Sequence, residues 1–471
     1  MPNQNERPYP PRRRRRRRRR INYTAIIFWL VVALVVVGLI ALILGLTRPD
    51  SDDETTGPSN TAAPTTEPTT IPTDPSTEPS TAPTDPPVSL TGTATVGATG
   101  DMLMHLPCIN GAETSSGEYN FDHYFKYMKD YVSAVDYAVA NLETTLAGLN
   151  LGYEYHGYPD FNCPDGIVPS LQSAGFDMLT TANNHCYDTH SAGFHRTQQV
   201  LKDAQMDYTG TFSGAGDARY LVKDLNGVQV GMICYTYEDN SSPDVVAPNG
   251  RTMTETDKKL INAFNVNELD AFYSDMTQHI AAMEADGAEA IVLYIHWGTE
   301  YQLSQSSTQT KIAQKMCDLG VDVIVGGHPH VIQPMDLLTS STDPEHKTVC
   351  LYSTGNALSN QRKELMRLDT GHTEDGVFFS FSFAKYSDGT VRLEDVELLP
   401  LWINKYKDSA TGKNVYDILP LDKQIEDWKT QFNLTDSTLS QAESSYERTT
   451  ELLGEGLEKV QAYLDSLPEI E

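Results

Sequence analysis

The chain has 471 residues, room for about three average domains, and carries 35 basic against 64 acidic side chains for a formal net charge of −29. Eleven arginines and one glutamate fall within residues 1–48, which leaves +10 there and −39 on everything that follows. A surface so acidic does not attract nucleic acid or other polyanions unaided, so nucleic acid is excluded as a partner.

Residues 1–23 form a tail in which Arg12–Arg20 is an unbroken run of nine arginines. Residues 24–46 follow without a charge, long enough to cross the roughly 30 Å hydrocarbon core as one helix. A secretory signal has a shorter apolar core, about 7–15 residues, and a small-residue cleavage site. Gly45-Leu-Thr-Arg-Pro-Asp50 offers no such site, so the expectation is an uncleaved, single-pass membrane helix. Arginines beside a span stay cytoplasmic, which places the N-terminus inside and the main domain outside the cell membrane. Residues 47–90 are nearly all Thr, Pro, Ser, Asp and Glu. They bury too little apolar surface to offset their ordering entropy. Proline extends such a disordered linker by up to about 3 Å per residue, on the order of 100 Å in all.

From Thr93 short β-branched runs alternate with amphipathic segments. The expected strands are Thr93–Thr99, Tyr137–Ala140, Met178–Thr181, Gln229–Thr236, Ala290–Ile295, Val321–Val325, Thr348–Tyr352, Val377–Phe383 and Val391–Pro400. The expected helices are Tyr119–Val135, Ile167–Ala174, His190–Ala204, Val266–Ala285 and Ser307–Leu319. Such alternation implies an α/β fold over residues 91–405, with a mixed or antiparallel portion near its end. Residues 406–471 are expected to be a helical extension. There Leu439, Ala442, Tyr446, Leu453, Leu457, Val460, Leu464 and Leu467 recur at helical spacing, while Gly454 and Gly456 weaken the helix by about 1 kcal/mol each. Six cysteines (Cys108, Cys163, Cys186, Cys234, Cys317 and Cys350) show no C-x-x-C spacing and imply no particular pairing.

Five polar motifs close apolar runs: Val96–Asp101, Val139-Ala-Asn141-Leu-Glu143, Leu179–His185, Val292–Gly298 and Val323–His330. The carboxyl ends of strands line the crevice of an open α/β sheet, so these ends can converge on one site. Asp, Glu, Asn and His together make a mixed oxygen and nitrogen donor set, suited to Mn, Fe or Zn rather than to a thiolate zinc site. Gly326-Gly327-His328-Pro329-His330 is the most specific piece, because glycines permit a sharp turn and the proline restrains two imidazoles. Asp188, three residues beyond His185, can fix that ring through its second nitrogen.

These motifs carry a resemblance. Gly100-Asp101-Met-Leu-Met, Asn141-Leu-Glu143, Ala182–Asp188, His296-Trp-Gly-Thr-Glu300-Tyr, Gly327–Pro334 and Tyr352-Ser-Thr-Gly355-Asn356 resemble, in order, the CapA family of capsule-synthesis proteins associated with poly-γ-glutamate. That family is similar to the calcineurin-like metallophosphoesterase superfamily. The resemblance spans Thr93 to Trp402 and implies an α/β/β/α sandwich of two mixed sheets. It implies Glu143 as a carboxylate bridging two divalent ions, with Asn184, His296 and His328 on one and Asp101 and His330 on the other. His185 would be the general acid or a hydrogen-bond donor to the scissile phosphate group, supported by Asp188, Asn183 and Asn141. Leu103 departs from the superfamily pattern, which has a histidine there; His105 is the nearest substitute. Two functions stay open: a metal-dependent hydrolase of phosphoesterase type, or an accessory member of a capsule polymer machine contacting an anionic polymer and other membrane components.

Overall fold

β-branched and aromatic runs build two large sheets, seen in a computed structural model that describes residues 88–468 except 116, 239–241, 243, 367 and 369. The arginine tail, the expected span at 24–46 and nearly all of the spacer lie outside the described residues. Among the described residues no helix is long and apolar enough to cross a membrane.

Seventeen strands occur among these residues. In chain order they are β1 (Leu90–Met102), β2 (Glu113–Ser115), β3 (Glu118–Tyr119), β4 (Tyr137–Leu142), β5 (Met178–Thr180) and β6 (Asp207–Thr209). Then come β7 (Leu221–Leu225), β8 (Val228–Glu238), β9 (Ala263–Asn265), β10 (Ala290–His296), β11 (Val323–Gly327) and β12 (Ile332–Thr339). The last are β13 (Lys347–Thr354), β14 (Asn356–Leu358), β15 (Asp375–Tyr386), β16 (Val391–Lys407) and β17 (Asn414–Pro420). The first large sheet has the order β17-β16-β15-β1-β4-β5-β6, with β14 also paired to β1. The second has the order β12-β13-β11-β10-β8-β7, with β9 beside β8. Both are mixed: β1, β4, β5 and β6 run parallel while β15, β16 and β17 form an antiparallel meander.

The sheets face each other. Val96, Val139 and Phe381 from the first and Met232, Val292 and Val323 from the second share one buried cluster. The opposite faces are covered by helices: Ile167–Ala174 and Leu106–Ala112 on the first, Leu269–Ala285 and Ser307–Asp318 on the second. Central strands buried on both faces read as unbroken apolar runs, such as Ala290–Ile295. At Gly355 (φ 71°) the chain passes from β13 in one sheet to β14 in the other. A Cβ on Gly100 would lie 1.9 Å from the Gly355 carbonyl oxygen, so only glycine lets the two strands approach here.

Two expectations are corrected. Tyr119–Val135 is not one helix but a 3-10 turn at Asp122–Tyr124 and a short helix at Lys129–Val132. Phe121, Tyr124, Phe125, Met128 and Val132 are buried at helical spacing, yet Phe125 (φ −100°, ψ 2°) interrupts the run. The sheet also continues beyond residue 405, because β17 pairs with β16 from Leu401↔Pro420 to Lys407↔Asn414. The helical part beyond it contains the 29-residue helix Asp436–Leu464, opened by a Thr435 capping box. Its Leu453 and Val460 join the core between the sheets. All six cysteines are buried and free.

Candidate metal centre

Each of the five motifs ends at the same place, where strands of both sheets run out. The β1–β4 register sets Asp101 opposite Asn141, and the β10–β11 register sets His296 opposite Gly327. Glu143 and the Asn183-Asn184-His185 stretch follow β4 and β5 directly. The turn after β11 is strained: His328 (φ 95°) and His330 (φ 56°) are both left-handed, a conformation that non-glycine residues keep only when their surroundings impose it. Backbone bonds from Trp297 N to Gly327 O (3.1 Å) and from Tyr301 N to Pro329 O (2.8 Å) hold this turn.

Asp101, Glu143, Asn184, His185, His296, His328 and His330 are all buried. The structure brings the acidic and imidazole groups into two sets, Glu143–His296–His328 and Asp101–Glu143–His330, whose ligand atoms lie within 4.8 Å of one another. Glu143 is common to both. Asn184 Oδ1 lies 2.8 Å from His296 Nε2, which joins the amide to the first set. His296 Nε2 is 3.4 Å and His330 Nε2 3.9 Å from Glu143 Oε1. His330 Nδ1 is 3.2 Å from Asp101 Oδ2.

Among the described residues neither oxygen of Glu143 accepts a hydrogen bond, and His328 Nδ1 is equally without a partner. Buried polar atoms in that state are costly. A cation would satisfy them, so these buried groups could hold a metal. The electrostatics agree. Burial opposes the charged form of Asp101, but the hydrogen bond from His330 and the charges on His296 and His330 outweigh it and keep the carboxyl below its ordinary range. Burial would also lower His330, yet Glu143 and the pairing with Asp101 raise it to about 9. Burial, then the charges on His296 and His330, pushes His328 well below its ordinary value, leaving a neutral ring.

The supporting residues form a chain of amides. Asn183 Nδ2 donates to Asn141 Oδ1 (3.1 Å) and to Leu142 O (2.9 Å), and Asn141 Nδ2 donates to Asp101 Oδ1 (2.8 Å). Beside them His185 Nδ1 sits 2.7 Å from Asp188 Oδ2, which also accepts from Phe161 N at 2.7 Å. Leu103 is buried but belongs to none of the apolar clusters that take Met102 and Met104. His105 stands outside both ligand sets.

Three residues gained no role from the sequence. Asn356 Oδ1 is 3.2 Å from His330 Nδ1, and its amide donates to His330 O, Gln361 Oε1 and Thr373 O. Its signal was available: a polar residue closing the apolar run of β13. Asn249 Nδ2 donates to Asp188 Oδ1 at 3.2 Å, and Arg251 pairs with Asp160 beside it. Both come from a loop with no apolar run before it, so nothing in the sequence pointed to them.

The family model for bacterial capsule synthesis proteins, PGA_cap, matches residues 95–361. Capsule biosynthesis protein CapA of Bacillus anthracis is 27% identical over 248 residues, 52% of this chain and 55% of that protein. PGA biosynthesis protein CapA of Bacillus subtilis (strain 168) is 24% identical over 326 residues, 67% of this chain and 77% of that protein. The chain therefore spans about half the length of the first relative. A solved structure of NAD nucleotidase from Haemophilus influenzae is similar over 76% of this chain and 67% of that one, with a TM-score of 0.38 and 11% identity.

Proposed function

The chain belongs to the bacterial capsule synthesis protein family, and from that premise we propose a membrane-anchored, extracytoplasmic protein of capsule polymer synthesis or export, of the poly-γ-glutamate type, with a divalent-metal centre of metallophosphoesterase type. The observation that carries the metal centre is Glu143, a fully buried carboxylate shared by two ligand sets and without a hydrogen bond among the described residues. Glu143, Asn184, His296 and His328 would hold one ion; Asp101, Glu143 and His330 would hold a second. Bound there, one or two ions of Mn, Fe or Zn would supply Lewis-acid polarisation and a nucleophile usable at neutral pH. The protein's own part is proton delivery. Asp188 takes the Nδ1 side of His185 and leaves Nε2 to protonate a leaving oxygen as general acid. A polymer as anionic as poly-γ-glutamate meets a domain with the same sign of charge, which favours contact through the metal.

The His185–Asp188 pair also supports a second reading: a metal-dependent phosphoesterase or other hydrolase acting on a cell-surface substrate unrelated to capsule. One set of measurements separates these readings. The full-length chain, purified in detergent without chelator, is expected to carry one or two divalent ions; a chain that binds none sinks both. His185→Asn is expected to keep the metal and to lose phosphodiesterase activity by roughly 10²–10⁴-fold. A cell lacking the protein whose capsule is restored as well by His185→Asn as by the native chain would show that the capsule role is accessory.

A further inference from the structure

His105 looks at first like the replacement for the histidine that Leu103 displaces, and its hydrogen bonds argue otherwise. Its Nδ1 lies near two backbone groups: Leu103 O at 3.1 Å and Asn360 N at 3.2 Å. One nitrogen cannot serve both, because the carbonyl needs a donor and the N–H needs an acceptor. Leu103 O already receives the N–H of His105 itself at 2.9 Å. Among the described residues Asn360 N–H has no other acceptor. The arrangement that satisfies both backbone groups makes Nδ1 the acceptor, which puts the ring proton on Nε2. Among the described residues that nitrogen makes no hydrogen bond, and His105 is only partly buried.

The location matters as much as the tautomer. Phe161 stands edge-on to both His105 (5.2 Å between centroids) and His185 (4.6 Å), so one aromatic ring spaces the two imidazoles. Gly157 fixes this wall: a Cβ there would lie 2.5 Å from Leu106 N and 3.0 Å from His105 Cα. Behind His105, Asn360 is itself held, its Oδ1 accepting from Lys405 Nζ and from Tyr416 OH, each at 2.7 Å. The ring is thus braced on one side and unbonded on the other, with Phe161 between it and the proposed acid.

We propose that His105 is a positioning residue rather than a metal ligand: a neutral imidazole that donates Nε2–H to an oxygen of the molecule held at the metal centre. The role rests on the metal-centre reading above. A nitrogen that carries its proton has no lone pair for a cation, so the place left by Leu103 stays without an imidazole.

The test uses the full-length chain with ¹⁵N-labelled histidine, loaded with Mn²⁺ or Zn²⁺, and inorganic phosphate as the probe. In the zinc form, long-range ¹H–¹⁵N spectra, with the His105 signal identified by its loss in His105→Ala, are expected to show the Nε2–H tautomer. In the manganese form His105→Ala is expected to bind as much metal as the native chain and phosphate about tenfold more weakly. His105→Gln, whose amide can donate from a similar place, should recover part of that loss. An Nδ1–H tautomer, a drop in metal stoichiometry in His105→Ala, or unchanged phosphate affinity would each overturn the proposal. A native chain that takes up no metal fails earlier and differently: it removes the metal-centre reading, and the donor role with it.

Discussion

At the scale of single residues, the centre is a set of charges arranged for something other than one another. Glu143 illustrates this. Above about pH 9, where His330 has lost the proton that offsets it, a buried carboxylate that accepts no hydrogen bond among the described residues destabilises the metal-free fold, so Glu143→Gln should raise metal-free stability there by about 1–3 kcal/mol. The same change should abolish the rise in melting temperature on adding Mn²⁺. Denaturant melts with and without the ion check both halves, and a destabilised Glu143→Gln would show that the carboxylate has a protein partner after all. His330 supplies the pH dependence. Its folded value, about 9, lies above the ordinary 6.5. Its pairing therefore contributes stability that is fully present below about 6.5 and drains away as pH climbs through about 9. Asp101, shifted the other way, gives stability that is lost only as pH falls below the ordinary carboxylate range. The metal-free protein should accordingly melt lower at pH 9 than at pH 6.5. Metal affinity should move oppositely, because the proton must leave His330 before its nitrogen can bind. Melts of the native chain and of His330→Gln, which should lose this slope, provide the check. The residue types of this site were legible because carboxylates and imidazoles directly after apolar runs have no business in a core. Asn249 and Arg251 were not, since their positions depend on a loop's path rather than on a strand's end.

At the scale of elements, the helix Asp436–Leu464 shows how far periodicity carries and where it stops. Its apolar spacing predicted an amphipathic helix, and Ile167–Ala174 was likewise readable to the residue. Two glycines in the long helix looked like equal weaknesses, and the structure separates them. A Cβ on Gly456 would lie 2.1 Å from the carbonyl oxygen of Met335 in β12, whereas Gly454 has nothing within 4 Å. Gly454→Ala is therefore expected to stabilise the protein by up to about 1 kcal/mol through helix propensity. Gly456→Ala gains the same propensity but must force strand and helix apart, at about 1–3 kcal/mol, and should be net destabilising. Chemical denaturation of the two variants decides it; equal effects would mean the helix does not seat on β12. The failed helix at Tyr119–Val135 teaches the complementary point. Burial at helical spacing fixes which side chains face inward, but a series of turns satisfies the same pattern. β17 is the return strand of a hairpin, separated from β16 by residues 408–413 alone, and the turn at Gly412 (φ 70°) is the local mark that a reading for helical periodicity passes over.

At the scale of the whole molecule, the proposed topology is the first thing to test. The charge of residues 1–48 and the apolar stretch 24–46 predict that protease added to intact wall-free cells removes the folded domain; complete protection would reject an N-in, C-out arrangement. The seam between the sheets then acquires a meaning. Asp101, Glu143 and Asn184 extend from strands of one sheet, while His296, His328 and His330 extend from the other. Each ligand set takes its carboxylates from one half and its imidazoles from the other, so neither half owns the centre. A cation there would act as a rivet across two layers, and no ion could be gripped by a partly made chain until residue 330 had emerged and both layers had closed. If the domain matures beyond the membrane, as the proposed topology has it, loading is then an event of the outer compartment. The identity of the ion would be set by the surrounding supply of Mn, Fe or Zn, and starving cells of one external metal would disable the protein without altering its amount.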